Sequence, residues 1–244
     1  LNNIPGKSAV TDTMSLISLV ADENNGYWAG SVFGPFAYWS PSKDSLQLFG
    51  QKQGISSGYS LTILKDSRGR IWRGFSNGNG YSSRGLLVID PKKQTRDSLD
   101  LSEGLNSNFI NSMIEDRYGQ VWIASSKGVN MLPNAENNFK HIGELPLSCL
   151  LEDDQHKIWM GTLNQGLRWV DPSNNQQKTI NTRNNQIQFI REVNGEIWVS
   201  TETGFDVIPA DRSHIQYLAS TPGNKSALSL LATALPNNEV LTGG

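Results

Sequence analysis

The chain predicts an all-β fold assembled from one repeated four-stranded unit, and three observations carry that expectation. A ten-residue pattern built around Trp recurs five times along the 244 residues. Short apolar runs flank every copy, and clusters of Gly, Asn, Asp and Pro separate those runs. A period near 40 residues with four such runs per unit is the signature of a repeat architecture rather than of a single irregular domain.

The copies are DENNGYWAGS (Asp22 to Ser31), DSRGRIWRGF (Asp66 to Phe75), DRYGQVWIAS (Asp116 to Ser125), DDQHKIWMGT (Asp153 to Thr162) and EVNGEIWVST (Glu192 to Thr201). An acid lies six residues before Trp28, Trp72, Trp122, Trp159 and Trp198, and a small residue (Gly30, Gly74, Ala124, Gly161 or Ser200) lies two after. Trp-to-Trp spacings are 44, 50, 37 and 39 residues, with 43 more to Leu241 in a degraded sixth copy, LPNNEVLTGG.

Each element has a local reason. The run before the acid (ISLVA, LTILK, NSMIE, SCLLE, QFIR) and the Trp run are the first two strands, rich in β-branched and aromatic residues. The acid-x-x-Gly segment between them suits a hairpin: Asp bonds its own downstream backbone, and Gly supplies positive φ. Two departures fall at the Gly position, Asn25 in the first copy and His156 in the fourth. Gly followed by an apolar run (GPFAYWSP, GLLVIDP, GVNMLPN, GLRWVDP, GFDVIPA) gives a third strand, and runs such as LQLF, FKHI and IQYL give a fourth.

A four-stranded unit of this length, repeated, reads as a β-propeller blade. The expectation is an all-β β-propeller of four-stranded blades, about five full blades plus part of a sixth. It is one propeller over 1–244, with blades near 1–53, 54–104, 105–145, 146–184 and 185–224 and a partial one at 225–244. Trp fills the gap between neighbouring blades, and the small residue after it lets the adjacent backbone come close. Nothing in the first sixteen residues supplies ring-closing strands, so a fragment of a larger propeller of about seven blades is expected. The start at Leu1 fits a processed or trimmed N-terminus.

Composition narrows the function. Net charge is −2 with no block of like charge, which gives no electrostatic footprint for nucleic acid or an anionic membrane. No run of 18 apolar residues exists, so this segment is not expected to be embedded in a bilayer. Cys149 stands alone among apolar neighbours and reads as a buried structural thiol.

The pattern D-x-x-G-x-[IV]-W-[IVM]-[GAS]-[ST] followed by G-[LVF] resembles the two-component regulator propeller repeat. GLNSNFINSMIED, Gly104 to Asp116, is especially similar, because repeats of this family link blades through Gly-Leu-x-Ser/Asn-Asn. LNNI at Leu1 to Ile4 fits the same linker without its Gly. The resemblance implies the periplasmic sensor region of a hybrid histidine kinase or a related bacterial receptor, often responsive to polysaccharide fragments.

Chemistry-bearing residues read mostly as architecture. Acid–base catalysis needs two carboxyls converging roughly 5–10 Å apart across one substrate. Repeat symmetry instead places Asp22, Asp66, Asp116, Asp153 and Glu192 at separate hairpins. Glu115, Glu152 and Asp154 add only solvated charge. Asp22-Glu23-Asn24-Asn25-Gly26 is too short and not alternating for a calcium loop, and His141, His156 and His214 have no paired spacing. Metal and cofactor are therefore not expected. Trp39 and Trp169, in third strands, either line a channel or pack, and packing is favoured.

The loop FSNGNGYSSRG, Phe75 to Gly85, departs from the repeat, because the equivalent segment elsewhere is a few residues long. Loops on a rigid scaffold carry function disproportionately, and by propeller topology this one shares a face with the blade linkers. Asn77, Asn79, Tyr81 and Arg84 offer amides, stacking and charge to a sugar, with Phe33, Phe36 and Tyr59 on the same face. The expectation is a non-enzymatic ligand-sensing domain in the periplasm, with a small-molecule or oligosaccharide ligand, the rest of the receptor chain and a homodimer as partners. Its rivals are a propeller lyase or glycosidase and a protein–protein scaffold.

Overall fold

The computed structural model describes residues 16–31, 35–49, 59–76, 85–134, 138–219, 231–234 and 240–243. They form five four-stranded antiparallel sheets and one strand pair, each in simple chain order. The first sheet is β1 (Leu16–Ala21), β2 (Tyr27–Ser31), β3 (Phe36–Ser40) and β4 (Ser45–Phe49). The second is β5 (Thr62–Lys65), β6 (Ile71–Gly74), β7 (Leu86–Asp90) and β8 (Thr95–Leu99). The third is β9 (Ile110–Glu115), β10 (Val121–Ser125), β11 (Gly128–Leu132) and β12 (Lys140–Gly143). The fourth is β13 (Leu147–Glu152), β14 (Ile158–Thr162), β15 (Leu167–Val170) and β16 (Gln177–Ile180). The fifth is β17 (Ile187–Val193), β18 (Glu196–Thr201), β19 (Gly204–Ile208) and β20 (Gln216–Ala219), and the pair is β21 (Leu231–Ala234) with β22 (Val240–Gly243). Two 3-10 turns, Pro41–Lys43 and Leu101–Glu103, are the only helical segments among the described residues.

Burial follows strand position. The Trp strands β6, β10 and β14 are buried along their whole length, and apart from Arg73 on β6 and the closing Ser125 and Thr162 they are made of apolar or small residues. The fourth strands β8, β12 and β16 carry polar, mostly exposed sequences (TRDSL, KHIG, QKTI), as an outer edge exposed to water requires.

The chain divides into two compact units. One holds the described residues up to Ser126 with Asn130–Ile142, and the other holds Lys127–Val129 with Gly143 onward. Within the first unit β1 lies beside β5 and β5 beside β9; within the second β13 lies beside β17 and β17 beside β21. In the first unit Trp28 packs with Phe36 of its own sheet and with Ile71, Phe75 and Leu87 of the next. Trp72, 1% exposed, does the same with Leu86 and Val88 and with Ile110, Met113, Val121 and Ile123. In the second unit Trp159 packs against Ile187, Ile190, Ile197 and Val199. Trp28, Trp72 and Trp159 are thus wedges between sheets, and burying about 200 Å² of ring is worth at most about 5 kcal/mol.

Gly74 and Gly161, two of the small residues after Trp, have the role expected of them. A Cβ on Gly74 would lie 2.8 Å from Cγ2 of Ile110, and one on Gly161 would lie 2.6 Å from Cγ2 of Ile187. Glycine at these sites lets the first strand of the next sheet press its Ile onto the backbone.

The hairpins explain the repeat acid. Asp66 Oδ1 accepts from the backbone N–H of Arg68 and Arg70 while Oδ2 accepts from Trp72 Nε1 at 2.8 Å. Asp116 and Asp153 repeat this bonding with Trp122 and Trp159. The residue three after the acid is left-handed in four hairpins: Asn25 (φ 56°), Gly69 (81°), Gly119 (74°) and His156 (63°). Asn and His thus take the conformation that Gly takes elsewhere, and the turn survives the substitution.

The first hairpin satisfies its acid differently. Tyr38 Oη donates to Asp22 Oδ2 at 2.7 Å, in place of the indole N–H used in the second, third and fourth sheets. A Cβ on Gly26 would lie 2.2 Å from that hydroxyl, so Gly26 makes room for the tyrosine.

Glu192 departs from expectation. It pairs with Ile197 inside the β17–β18 ladder, and the turn is the two-residue Asn194-Gly195, both with positive φ (53° and 80°). This hairpin is one residue shorter than the others, so a strand residue falls in the acid column. Glu192 is the counterpart of Glu115, which pairs with Val121 at the same place in the third sheet.

Candidate functional site

The connections between second and third strands share one end of the sheets with the linkers, as backbone hydrogen bonds show. Ser76 N donates to Tyr59 O (2.9 Å), Ile110 N to Phe75 O (2.7 Å) and Ser126 N to Phe109 O (3.1 Å). In the second unit Leu163 N donates to Pro146 O (3.0 Å) and Gly166 N to Asn185 O (2.8 Å).

Of the residues expected to meet a ligand there, Asn77, Asn79, Tyr81, Arg84 and Phe33 lie outside the described residues. Tyr59 is half-buried on this end, its carbonyl holding Ser76. Phe36 is a correction. It is fully buried at the start of β3, with its ring centroid 5.2 Å from that of Trp28, so it belongs to the core.

Sequence reading missed the polar groups buried at this end. Arg73 has no exposed surface, and its guanidinium carbon lies 5.3 Å from the Phe36 ring and 4.6 Å from the Phe75 ring. Burial lowers its pKa to about 10, so it remains charged at neutral pH. Asn130 on β11 accepts from Asn106 N (3.1 Å) and donates to Gly104 O (3.3 Å), clamping the GLNSN linker. Asp206 holds the corresponding place on β19 and accepts from Arg183 N at 2.8 Å. Loss of hydration pushes the Asp206 carboxyl up, against the pull of that hydrogen bond and the Arg183 charge. This third-strand position is a linker anchor.

The opposite, hairpin end shows links that local pattern did not reveal. Glu115 accepts from Ser67 N (2.6 Å) and Ser67 Oγ (2.7 Å) of the preceding sheet. Glu192 accepts from Asp154 N at 2.9 Å in the same way. Both carboxylates thus join successive sheets, which corrects the expectation that Glu115 is only solvated charge. In the second unit Arg212 reaches Asp153 (3.2 Å), Asp154 (3.3 Å) and Glu192 (3.4 Å) and donates to Gly195 O at 2.6 Å. Desolvation first, and the Asp154 charge second, hold the Glu192 carboxyl above its usual range.

Two clefts also open at hairpin residues. In the first unit one of about 670 Å³ is lined by Asp22, Tyr38, Gln47, Phe49, Gln94 and Arg96, among others. In the second unit a cleft of about 380 Å³ includes Lys157, Trp159, Trp169, Lys178, Arg212 and His214. Trp169 is half-buried there, and Trp39 stacks on Tyr27 at 5.6 Å; neither is on a first strand.

The nucleophile and proton-transfer candidates are dispersed. Cys149 is buried against Gly161, and burial pushes its thiol up to about 11. His141 is on the outer strand β12, His156 in a hairpin and His214 in the loop before β20. Among the described residues no three His, Cys, Asp or Glu side chains are grouped to hold a metal ion. No described helix is long and apolar enough to cross a membrane.

Comparison with known proteins agrees with this geometry. The family model of the two component regulator propeller matches residues 104–127, which cover the GLNSN linker, β9 and β10. The resemblance seen in the sequence therefore holds, and the chain carries this repeat. Among solved structures, it is similar to the extracellular domain of BT4673 from B. thetaiotaomicron, described as a hybrid two component system. That match has TM-score 0.70 and 17% identity, covering 94% of this chain and 37% of that one. The chain thus spans just over a third of that domain. It is also similar to virginiamycin B lyase from Staphylococcus aureus (TM-score 0.73, 12% identity, 93% and 76% covered). The WD40 repeats of RRP9 give TM-score 0.66 at 15% identity, with 95% and 74% covered. At these identities the likeness establishes the β-propeller fold, which these three proteins put to different uses. No curated protein matches the chain in sequence.

Proposed function

We propose that this β-propeller, carrying the two component regulator repeat, is a non-enzymatic ligand-sensing module in the periplasmic part of a bacterial receptor. The repeat match at residues 104–127 carries the reading. The fold shared with the extracellular domain of a hybrid two component system supports it. The engagement of Asp66, Asp116 and Asp153 in their own hairpins also supports it, because those carboxylates are committed to structure.

An oligosaccharide is the proposed ligand. Asn77, Asn79, Tyr81, Arg84, Phe33 and Tyr59, at the linker end, are the proposed contacts, with amides for hydroxyls and rings for pyranose faces. Binding transmits a signal through its differential affinity for two arrangements of the receptor, whose remaining segments include the kinase-type output. A homodimer is the proposed assembly.

Similarity to a lyase favours one alternative, a propeller enzyme. Calorimetry on the intact receptor ectodomain against a panel of oligosaccharides separates the two. Saturable binding without product, weakened at least about tenfold by Tyr81→Ala, is expected. Turnover of any panel member, or silence across all polysaccharide classes, contradicts the proposal.

A further inference from the structure

We infer that the cleft between the fourth and fifth sheets is a second ligand site, selective for an acidic saccharide bearing a carboxylate or sulfate. The sugar part rests on the functional reading above; the charge selectivity rests on the cleft alone.

Its floor is buried and apolar, and its accessible indole is Trp169. Trp159 is 1% exposed and Ile208 3%, while the half-buried Trp169 forms a side wall. Indole faces pack against the apolar faces of pyranose rings, and Trp in a concave site is well suited to that contact.

Its rim is cationic. Lys157 Nζ lies 4.7 Å from the Trp169 ring, and Lys178 projects from the exposed edge strand β16. His214 and Arg212 complete the basic set, and no Asp or Glu lines the cleft. Arg212 spends its charge on Asp153, Asp154 and Glu192, yet its buried Nε has no hydrogen-bond partner. The Asp171 carboxylate is near enough to Lys157 to be held below its usual range, chiefly by Ser173 and in smaller part by that lysine. Lys178 has no ion-pair partner among the described residues and is the cation available to a ligand.

The comparable cleft of the first unit shows that this charge is not a consequence of repeat geometry. It is lined by the carboxylates of Asp22 and Asp90 and by Gln47 and Gln94, with Arg96 as its cation. The two clefts share an aromatic wall and differ in sign, so they select different ligands.

The test is calorimetry on the intact protein with tri-galacturonic acid and with its methyl ester, which keeps the rings and removes the charge. The acid binds, the ester binds at least about fivefold more weakly, and raising sodium chloride from about 50 to 300 mM closes the gap. Lys178→Ala, on an exposed edge strand, weakens the acid about fivefold, whereas Asn79→Ala leaves it unchanged. Equal affinity for acid and ester, or no effect of Lys178→Ala, overturns the site. Loss of acid binding in Asn79→Ala alone overturns it too, by assigning the anion to the 77–84 loop. A neutral oligosaccharide bound through that loop, with no affinity for the acid, refutes this cleft while leaving the sensor reading intact.

Discussion

Replacing Asp116 by Ala removes four hydrogen bonds from the third hairpin at once. Its carboxylate accepts from Tyr118 N (2.9 Å), Gln120 N (2.9 Å), Gln120 Nε2 (2.8 Å) and Trp122 Nε1 (2.8 Å). The four donors do not suffer equally. The turn is exposed at Tyr118, so water replaces the acceptor there at small cost. Trp122 is 2% exposed, and its orphaned indole N–H loses about 1–3 kcal/mol. Adding roughly 1 kcal/mol for the backbone bonds gives about 2–4 kcal/mol in all. At about 2–4 °C per kcal/mol for a chain of this size, the midpoint falls by about 5–15 °C. Asp116→Asn keeps an oxygen for the backbone donors but turns an NH₂ toward the indole N–H, so it costs less than Ala and more than nothing. Urea unfolding followed by Trp fluorescence, with an unchanged slope, measures both. Asp66→Ala and Asp153→Ala, at equivalent hairpins, are expected to behave alike. A loss below about 0.5 kcal/mol in Asp116→Ala, or loss of ligand binding with stability intact, refutes the structural assignment of the repeat acid.

Other outcomes follow from the same contacts. Gly74→Ala drives a methyl to within 3 Å of Thr62 and Ile110 and costs about 1–3 kcal/mol by urea unfolding, and Thr62→Ser, which removes the nearest methyl, recovers part of it. Asp206→Asn keeps the linker bond, as Asn130 shows, and removes a carboxylate that burial disfavours. Because the folded-state pKa of Asp206 is raised, wild-type stability falls as pH rises through the carboxylate range from about 4. The advantage of the Asn variant therefore grows over that range and then levels; an advantage that shrinks with pH refutes this. Tyr38→Phe costs about 1 kcal/mol, and since its hydroxyl pKa is raised from 10 to about 12, the wild-type contribution is full below pH 10 and fades as pH approaches 12. Unfolding midpoints between pH 8 and 12 check it, and equal midpoints for the wild type and the Tyr38→Phe variant at pH 8 contradict it.

Repeat logic made the strands and hairpins legible because each depends on neighbours within six residues. Asp, the left-handed residue and Trp form a local circuit, so even Asn25 and His156 kept their place. Where the circuit changed, spacing misled. The Asn194-Gly195 turn is one residue shorter and slid Glu192 into a column it does not occupy. Contacts between sheets left no local trace. Glu115 with Ser67, Arg212 with Glu192 and the anchoring of linkers by Asn130 and Asp206 join residues 20 or more apart. Phe36 opens β3, as the GPFAYWSP run predicts, but its ring fills the core instead of joining Phe33 on the ligand face. The basic cleft was invisible for a related reason: Lys157, Trp169, Lys178 and Arg212 are scattered over four chain segments.

The central claim is that the hairpin carboxylates build the propeller while loops at the linker end take the ligand. Hydrogen–deuterium exchange on the intact ectodomain, with and without a bound neutral oligosaccharide from the panel, tests it most directly. The account predicts protection concentrated at residues 59–60, 76–85 and the neighbouring linkers, with the Asp–Trp hairpins unchanged and the sugar recovered intact. Protection centred on the hairpins at Asp66, Asp116 and Asp153, together with a cleaved ligand, would contradict it.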